Sequence, residues 1–222
     1  MTEDRDTPAA APPRGGLARI LGDPRVDKAF AMVGSLPFVL VIAVEIRNGR
    51  FGIPAAVLTV HMLLQLGTLL ARRPPERVTP NPLFWLLAFT ATYWTFLTAG
   101  FARTGRPLVS AWAADGLSLL SLAVVVYARL SLGRNIGFVP AQRQLVMHGA
   151  YRYVRHPIYS GIFLAYAGSL LSNYDRANLL VALGGIALFM IKSVVEERFL
   201  AADPAYREYL RQVRWRWVPG LA

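Results

Sequence analysis

Leu83-Phe-Trp-Leu-Leu-Ala-Phe-Thr-Ala-Thr-Tyr-Trp-Thr-Phe-Leu-Thr-Ala-Gly-Phe101 carries no charged side chain from end to end. A helix needs about 20 mainly apolar residues to cross the roughly 30 Å hydrocarbon core of a bilayer, so this run is long enough to span one. Comparable runs flank it. Ala29–Ile46 and Phe51–Ala71 come before, and Arg72–Pro82 between them and the quoted run is a loop, because its prolines cannot sustain a helix. Pro107–Leu130 follows. The chain then turns polar and glycine-bearing until His156, after which Pro157–Leu171 and Ala177–Val195 flank the turn Ser172–Arg176. The reading is an all-α, polytopic transmembrane helical bundle of about six spans, with five as the alternative. Pro157–Leu171 is the short member and reads as half of a helical hairpin.

Composition agrees with the run pattern. Of 222 residues 55% are hydrophobic and 17% charged, with a mean hydropathy of +0.38; a soluble domain carries roughly 25% charged residues. The absence of cysteine excludes disulfides, thiolate–metal sites and cysteine nucleophiles. A formal charge of +11 would point to nucleic acid in a soluble protein, but here the basic residues flank apolar spans. Anionic headgroups and topology account for them better. With the N-terminus inside, 18 basic residues lie in inside segments and 5 in outside loops, which gives an N-in, C-in arrangement. Met1–Gly16 lacks the apolar core of a signal peptide, so residues 1–28 read as a partly disordered cytosolic tail. Residues 29–130 hold four spans and the probable substrate cavity, and residues 131–222 a cytosolic loop, a helical hairpin and a C-terminal tail. The Ala- and Arg-rich composition points to a multi-pass protein of a bacterial inner membrane.

The chemistry concentrates in Leu145–Gly161 (LVMHGAYRYVRHPIYSG) and in Lys192-Ser-Val-Val-Glu196-Glu197. Pro157 suits the first position of a helix, and His156 before it is pushed out of the α region and fits an N-cap. The amides of Ile158, Tyr159 and Ser160 would then face an anion at the positive helix end. Arg152 and Arg155 on lipid headgroups are the plainer alternative. Ionisable groups at a membrane boundary are functional candidates; Lys192 and Glu196, at i and i+4, also suit an ordinary ion pair. Topology places His156 and Glu196 at the same interface, where a zwitterionic amino acid moiety would find a place for its carboxylate and its ammonium.

The run Gly149-Ala-Tyr-Arg-Tyr-Val-Arg-His-Pro-Ile-Tyr-Ser-Gly161, then Glu196-Glu197, then Tyr206 and Tyr209 and a terminal Arg-Trp-Val-Pro219, resembles the isoprenylcysteine carboxyl methyltransferase family. That family sits in a wider group with the membrane phospholipid N-methyltransferases. The resemblance covers about Leu130 to Pro219. It implies S-adenosylmethionine as cofactor on the cytosolic side, held by His156, Pro157 and Tyr159, by Gln144, Leu145, Val146 and Tyr151 from a strand-like stretch, and by Glu196 with Glu197 close by. Where the carboxyl methyltransferases carry a substrate-associated arginine, this chain has Lys192, which keeps the charge but loses bidentate carboxylate binding. Lys192 and Glu196 are therefore the candidate catalytic pair. The implied partners are membrane lipids and a lipophilic, prenylated or lipid acceptor.

A carboxylate acceptor is already ionised and needs no base, whereas an amine must first lose a proton, to His156 or a glutamate. A non-enzymatic transporter or redox subunit is the alternative from another class, but no internal repeat of the transporter kind occurs. His61 and Gln65, one turn apart in the second span, read as interhelical hydrogen-bonding groups or as cavity lining, and Asp115 and Glu45 similarly. Gly184-Gly185 reads as a close-packing point. No metal site is expected, since the three histidines lie at different depths. The tail Arg211–Trp217 reads as a Trp/Arg belt at headgroup level and not as a nucleic-acid surface.

Overall fold

The computed structural model describes residues 23–47, 53–100 and 105–221. The tail Met1–Gly16 lies outside the described residues, as do most of the turn between the first two spans and the Glu45 side chain.

Six apolar helices occur where six runs are read: α1 (Pro24–Arg47), α2 (Ile53–Ala71), α3 (Pro82–Gly100), α4 (Ala111–Leu132), α5 (Pro157–Ser172) and α6 (Arg176–Leu200). A short helix, α7 (Pro204–Gln212), follows. Pro24–Ala43, Ala111–Asn135 and Arg176–Leu200 are each long and apolar enough to cross a membrane, while Thr59–Ala71 and Pro157–Ser172 are shorter apolar helices. The protein is a mainly helical membrane protein.

The last apolar helix runs on past Val195 to Leu200 and so carries Glu196 and Glu197, and two starting boundaries differ from the sequence reading for local reasons. Residues 24–28 belong to α1 and not to a tail. Pro24 suits a first helical position, and the Asp23 carboxylate accepts the Arg25 amide at 2.7 Å. Residues 107–110 precede α4 instead of opening it. Arg106 and Tyr174 exchange backbone hydrogen bonds, and the Leu108 amide donates to the Leu171 carbonyl, which ties this stretch to the α5–α6 turn. Pro37 lies inside α1. Close to it, the Gly34 carbonyl accepts the Tyr93 hydroxyl of α3 at 2.7 Å, which ties α1 to α3.

The α4–α5 pair makes the most extensive helix contact, followed by α1–α2 and α3–α6. Gly161 decides the first. A Cβ there would overlap Val125 of α4 and approach the Ser121 carbonyl at 3.2 Å, and Ser121 Oγ donates to the Gly161 carbonyl at 2.9 Å. Gly184 and Gly185 serve the close packing read from the sequence: a Cβ at Gly184 would lie 2.7 Å from the Trp94 ring, and one at Gly185 would run into the Tyr166 ring. On the loop side, β1 (Arg77–Val78) pairs antiparallel with β2 (Ala141–Gln142), Arg77 opposite Gln142. Asp27 at the start of α1 binds Arg72 at 2.7 Å and Arg143 at 3.7 Å, so three segments converge beneath the bundle. Burial, with Arg72 adding to it and Asp27 opposing, pushes the Arg143 guanidinium down to about 10, so it stays charged at neutral pH.

Gly161→Val should lower thermal stability in detergent through overpacking of about 1–3 kcal/mol. Gly67→Ala, where a Cβ meets nothing within 4 Å, should leave the melting temperature unchanged or slightly raised. Equal behaviour of the two variants in a thermal-unfolding assay would contradict the packing described.

Candidate active site

Three segments meet at the C-terminal end of α6: the loop 141–156 leading into α5, the last turns of α6, and the tail beyond α7. Pro157 takes the first helical position of α5, and His156 stands at the N-cap with φ −127° and ψ 60°, since the residue before proline is held out of the α region. The His156 side chain does not cap the helix. Its Nε2 lies 3.1 Å from Glu197 Oε1. The other Glu197 oxygen accepts Arg155 Nη1 at 3.3 Å and Arg216 Nε at 3.1 Å, and the residue is only 5% exposed. Alongside, the amides of Arg155 and His156 donate to the carbonyls of Trp215 and Arg216 at 2.9 and 2.8 Å. Arg155 further donates to the carbonyls of Val213 at 2.7 Å and Leu210 at 2.9 Å. The tail is thereby strapped along the loop, and Glu197 is the carboxylate on which the strap closes.

Glu196 points elsewhere. Its Oε2 accepts the Tyr159 hydroxyl at 2.7 Å and its Oε1 lies 3.1 Å from Lys192 Nζ. Lys192 also donates to the Tyr159 hydroxyl at 2.7 Å, and His156 Nδ1 is 4.0 Å from Glu196 Oε2. The His156 and Tyr159 rings stack at 5.2 Å, 4° from parallel. The i, i+4 ion pair anticipated from the sequence exists, but as part of a buried network and not as an isolated surface pair. Lys192 is 4% exposed, a position that only such partners make tolerable.

This network forms one wall of a cavity of about 260 Å³. Gln144, Leu145, Val146 and Tyr151 line it together with His156, Tyr159, Lys192 and Glu196. Pro157 and Glu197 are not on its wall: the proline shapes the start of α5, and Glu197 faces the strap. Gln144–Val146 is irregular backbone; the strand pairing lies just before it, at Ala141–Gln142. Tyr206 and Tyr209 close the cavity from the tail, and the Tyr209 hydroxyl donates to the Tyr151 carbonyl at 2.9 Å. Burial, reinforced by Tyr209 and Glu196 and opposed by Arg129, drives the Tyr151 phenol far above its ordinary range. Burial and then Glu197 do the same to Tyr206. Both phenols are neutral hydrogen-bonding groups at physiological pH.

The open amides expected at the start of α5 are largely engaged. Those of Tyr159 and Ser160 donate to the His156 carbonyl at 3.0 and 3.1 Å, and Ser160 Oγ donates to the Trp217 carbonyl. Arg155, read as a headgroup contact in the plainer alternative, lines the cavity and is bonded to Glu197, Val213 and Leu210. The tail is likewise built into the site and not laid out as a belt: Trp217 packs on Phe163 with ring centroids 6.1 Å apart. Asp115 does not line the cavity. Arg129 and Arg216 went unnoticed in the sequence as site groups. Arg216 has no local signal, whereas Arg129 has one, an arginine in the last turn of an apolar helix.

Residues 109–206 match the model of a family described as phospholipid methyltransferase. The match runs from just before α4 through α5 and α6 into α7, and so takes in Glu196, Glu197 and the whole loop 141–156. No curated protein matches the sequence. The family match identifies an integral membrane methyltransferase and supports the wider group of membrane methyltransferases, not the carboxyl methyltransferases in particular.

Glu197→Ala should loosen the tail, because it leaves the largely buried Arg155 without its counter-charge and removes the bond to the half-exposed Arg216. Limited proteolysis should then cut between Gln212 and Pro219 faster than in the parent protein. Unchanged protection would show that the strap does not depend on this carboxylate.

Proposed function

We propose that the protein transfers a methyl group from S-adenosylmethionine to the amine of a membrane lipid headgroup, at a cavity facing the cytosolic side. The observation that carries this is the Glu196–Tyr159–Lys192–His156 network on the wall of a cavity that apolar side chains of the first three helices also line. Use of S-adenosylmethionine is a general property of the family matched by residues 109–206. The donor set fits that cofactor: Glu196 offers a carboxylate to an ammonium, and Tyr151 an aromatic ring to a cationic sulfonium. When bound, S-adenosylmethionine supplies an electrophilic methyl group on a positively charged sulfur.

The protein's own contribution is positioning and desolvation, where well-oriented reactants gain about 7–11 kcal/mol. Phe38, Met62 and Phe96 of the first three helices supply the apolar wall for acyl chains. Lys192 is committed to Glu196 and Tyr159, which leaves it poorly placed to grip an acceptor carboxylate. That favours the amine over the isoprenylcysteine carboxyl as acceptor. An amine must shed a proton before attack, and Glu196 and His156 are the groups on this wall that accept one.

Calorimetry on the purified protein should show binding of S-adenosylmethionine, and Glu196→Gln should weaken it about tenfold or more, the loss of one charge-assisted hydrogen bond. With radiolabelled methyl donor, label should enter phosphatidylethanolamine. Label entering a farnesylated cysteine instead would overturn the choice of acceptor, and the absence of donor binding would overturn the enzyme reading of this site.

A further inference from the structure

The same cavity has a second polar locus, away from the Glu196 network. His61, Gln65 and Thr68 recur at i, i+4 and i+7 on one face of α2, and Arg129 of α4 reaches across to them. Arg129 Nη1 donates to Thr68 Oγ1 at 2.6 Å, and Nη2 donates to Gln65 Oε1. His61, Gln65 and Arg129 all line the cavity. Both partners of the guanidinium are neutral. Among the described residues no carboxylate lies within ion-pair distance of Arg129, although the residue is only 8% exposed.

An arginine at the end of a membrane helix ordinarily snorkels to the headgroup region. Arg129 is turned inward instead, which is costly for a cation without a counter-charge. Its Nε and the Nε2 of His61 are buried without hydrogen-bond partners, and such atoms in a folded protein call for an explanation. Thr68 and Gln65 hold the guanidinium fork in place, a geometry matched to phosphate or carboxylate oxygens. The neighbouring wall of Phe38, Met62 and Phe96 is apolar, so an anion seated at Arg129 arrives attached to an apolar chain.

We infer that Arg129 and His61, fixed by Gln65 and Thr68, form an anion subsite that holds the negatively charged group of a single lipid molecule whose chain lies along α1–α3. The inference rests on the methyltransferase reading only in making this lipid the acceptor: its anion is anchored at Arg129 while its nucleophile lies toward Glu196. The substrate class is then an amphiphile that carries an anionic group such as a phosphate, whether or not an ammonium balances it, and neither an amine lipid without such a group nor a free anion meets it.

The test uses the full chain in non-ionic detergent, with dodecyl phosphate, dodecanol and inorganic phosphate as probes in thermal-shift and calorimetric titrations. Dodecyl phosphate should bind and stabilise the protein, and the other two should not at equal concentration. Arg129→Gln should weaken dodecyl phosphate about tenfold or more, the equivalent of one lost charge-assisted hydrogen bond. Arg129→Lys should keep part of the binding, and His61→Leu should weaken it without lowering the melting temperature. S-adenosylmethionine affinity should be unaffected by His61→Leu. Equal binding of dodecyl phosphate and dodecanol overturns the subsite even if Arg129→Gln does not fold. Binding of inorganic phosphate as tight as that of dodecyl phosphate overturns the lipid assignment. Undiminished dodecyl phosphate binding in both Arg129→Lys and His61→Leu places the anion elsewhere on this basic protein and also overturns it. Loss of S-adenosylmethionine binding in the parent protein, by contrast, would sink the methyltransferase reading and leave the subsite standing.

Discussion

The buried carboxylate of Glu197 is the constraint on which the site end of the molecule depends. A carboxylate taken out of water costs several kcal/mol unless charges and hydrogen bonds replace its hydration. Here the replacements come from two places far apart in sequence, Arg155 and His156 before α5 and Arg216 in the tail. Neither segment has much regular structure of its own. Each is ordered by meeting the end of α6, and the backbone pairing of 155–156 with 215–216 adds direction to what the charges draw together. The adjacent residue gains from this arrangement. Successive positions on a helix point about 100° apart, so fixing Glu197 in the strap turns Glu196 to the cavity, where Tyr159 and Lys192 hold it.

The cavity joins two kinds of lining. Carboxylate, ammonium, imidazole and phenol groups stand in mutual contact at Glu196, and Phe38, Met62 and Phe96 of α1–α3 share the rest with the polar His61, Gln65 and Arg129. Of the irregular stretch 143–148, Arg143 to Val146 line the cavity, while Met147 and His148 are exposed. The close α4–α5 approach at Gly161 brings the loop that ends at His156 onto the same face as Arg129, so helix packing and site geometry are linked through one small residue. On the proposed reading, a water-soluble donor and a bilayer-soluble acceptor meet where the two regimes join.

Much of this was legible in the sequence because hydrophobic runs and proline grammar are local. The six helices stand where six apolar runs are read, and His156-Pro157 marks the start of α5 because proline's fixed ring acts on its immediate neighbours. The boundaries at Pro24 and Ala111 were less legible. The first depends on a cap at Asp23 that an apolar-run reading passes over, and the second on backbone bonds to Tyr174, some 70 residues distant in sequence. The division of labour between Glu196 and Glu197 was not legible at all, since two adjacent glutamates look alike until their partners are known. Arg129 was counted among the inside-facing charges that set topology. Only the fold reveals that it turns inward toward Gln65 and Thr68 of α2.

The central claim is that one cavity, walled by the loop 141–156, the C-terminal end of α6 and the tail tyrosines, receives the methyl donor. Ultraviolet cross-linking of methyl-labelled S-adenosylmethionine to the intact protein, followed by peptide mapping, tests it most directly. The account predicts label confined to peptides containing Gln144–Tyr159 or Lys192–Tyr209, and abolished by excess unlabelled S-adenosylhomocysteine. Label distributed over α1–α3, or label that S-adenosylhomocysteine does not displace, would contradict it.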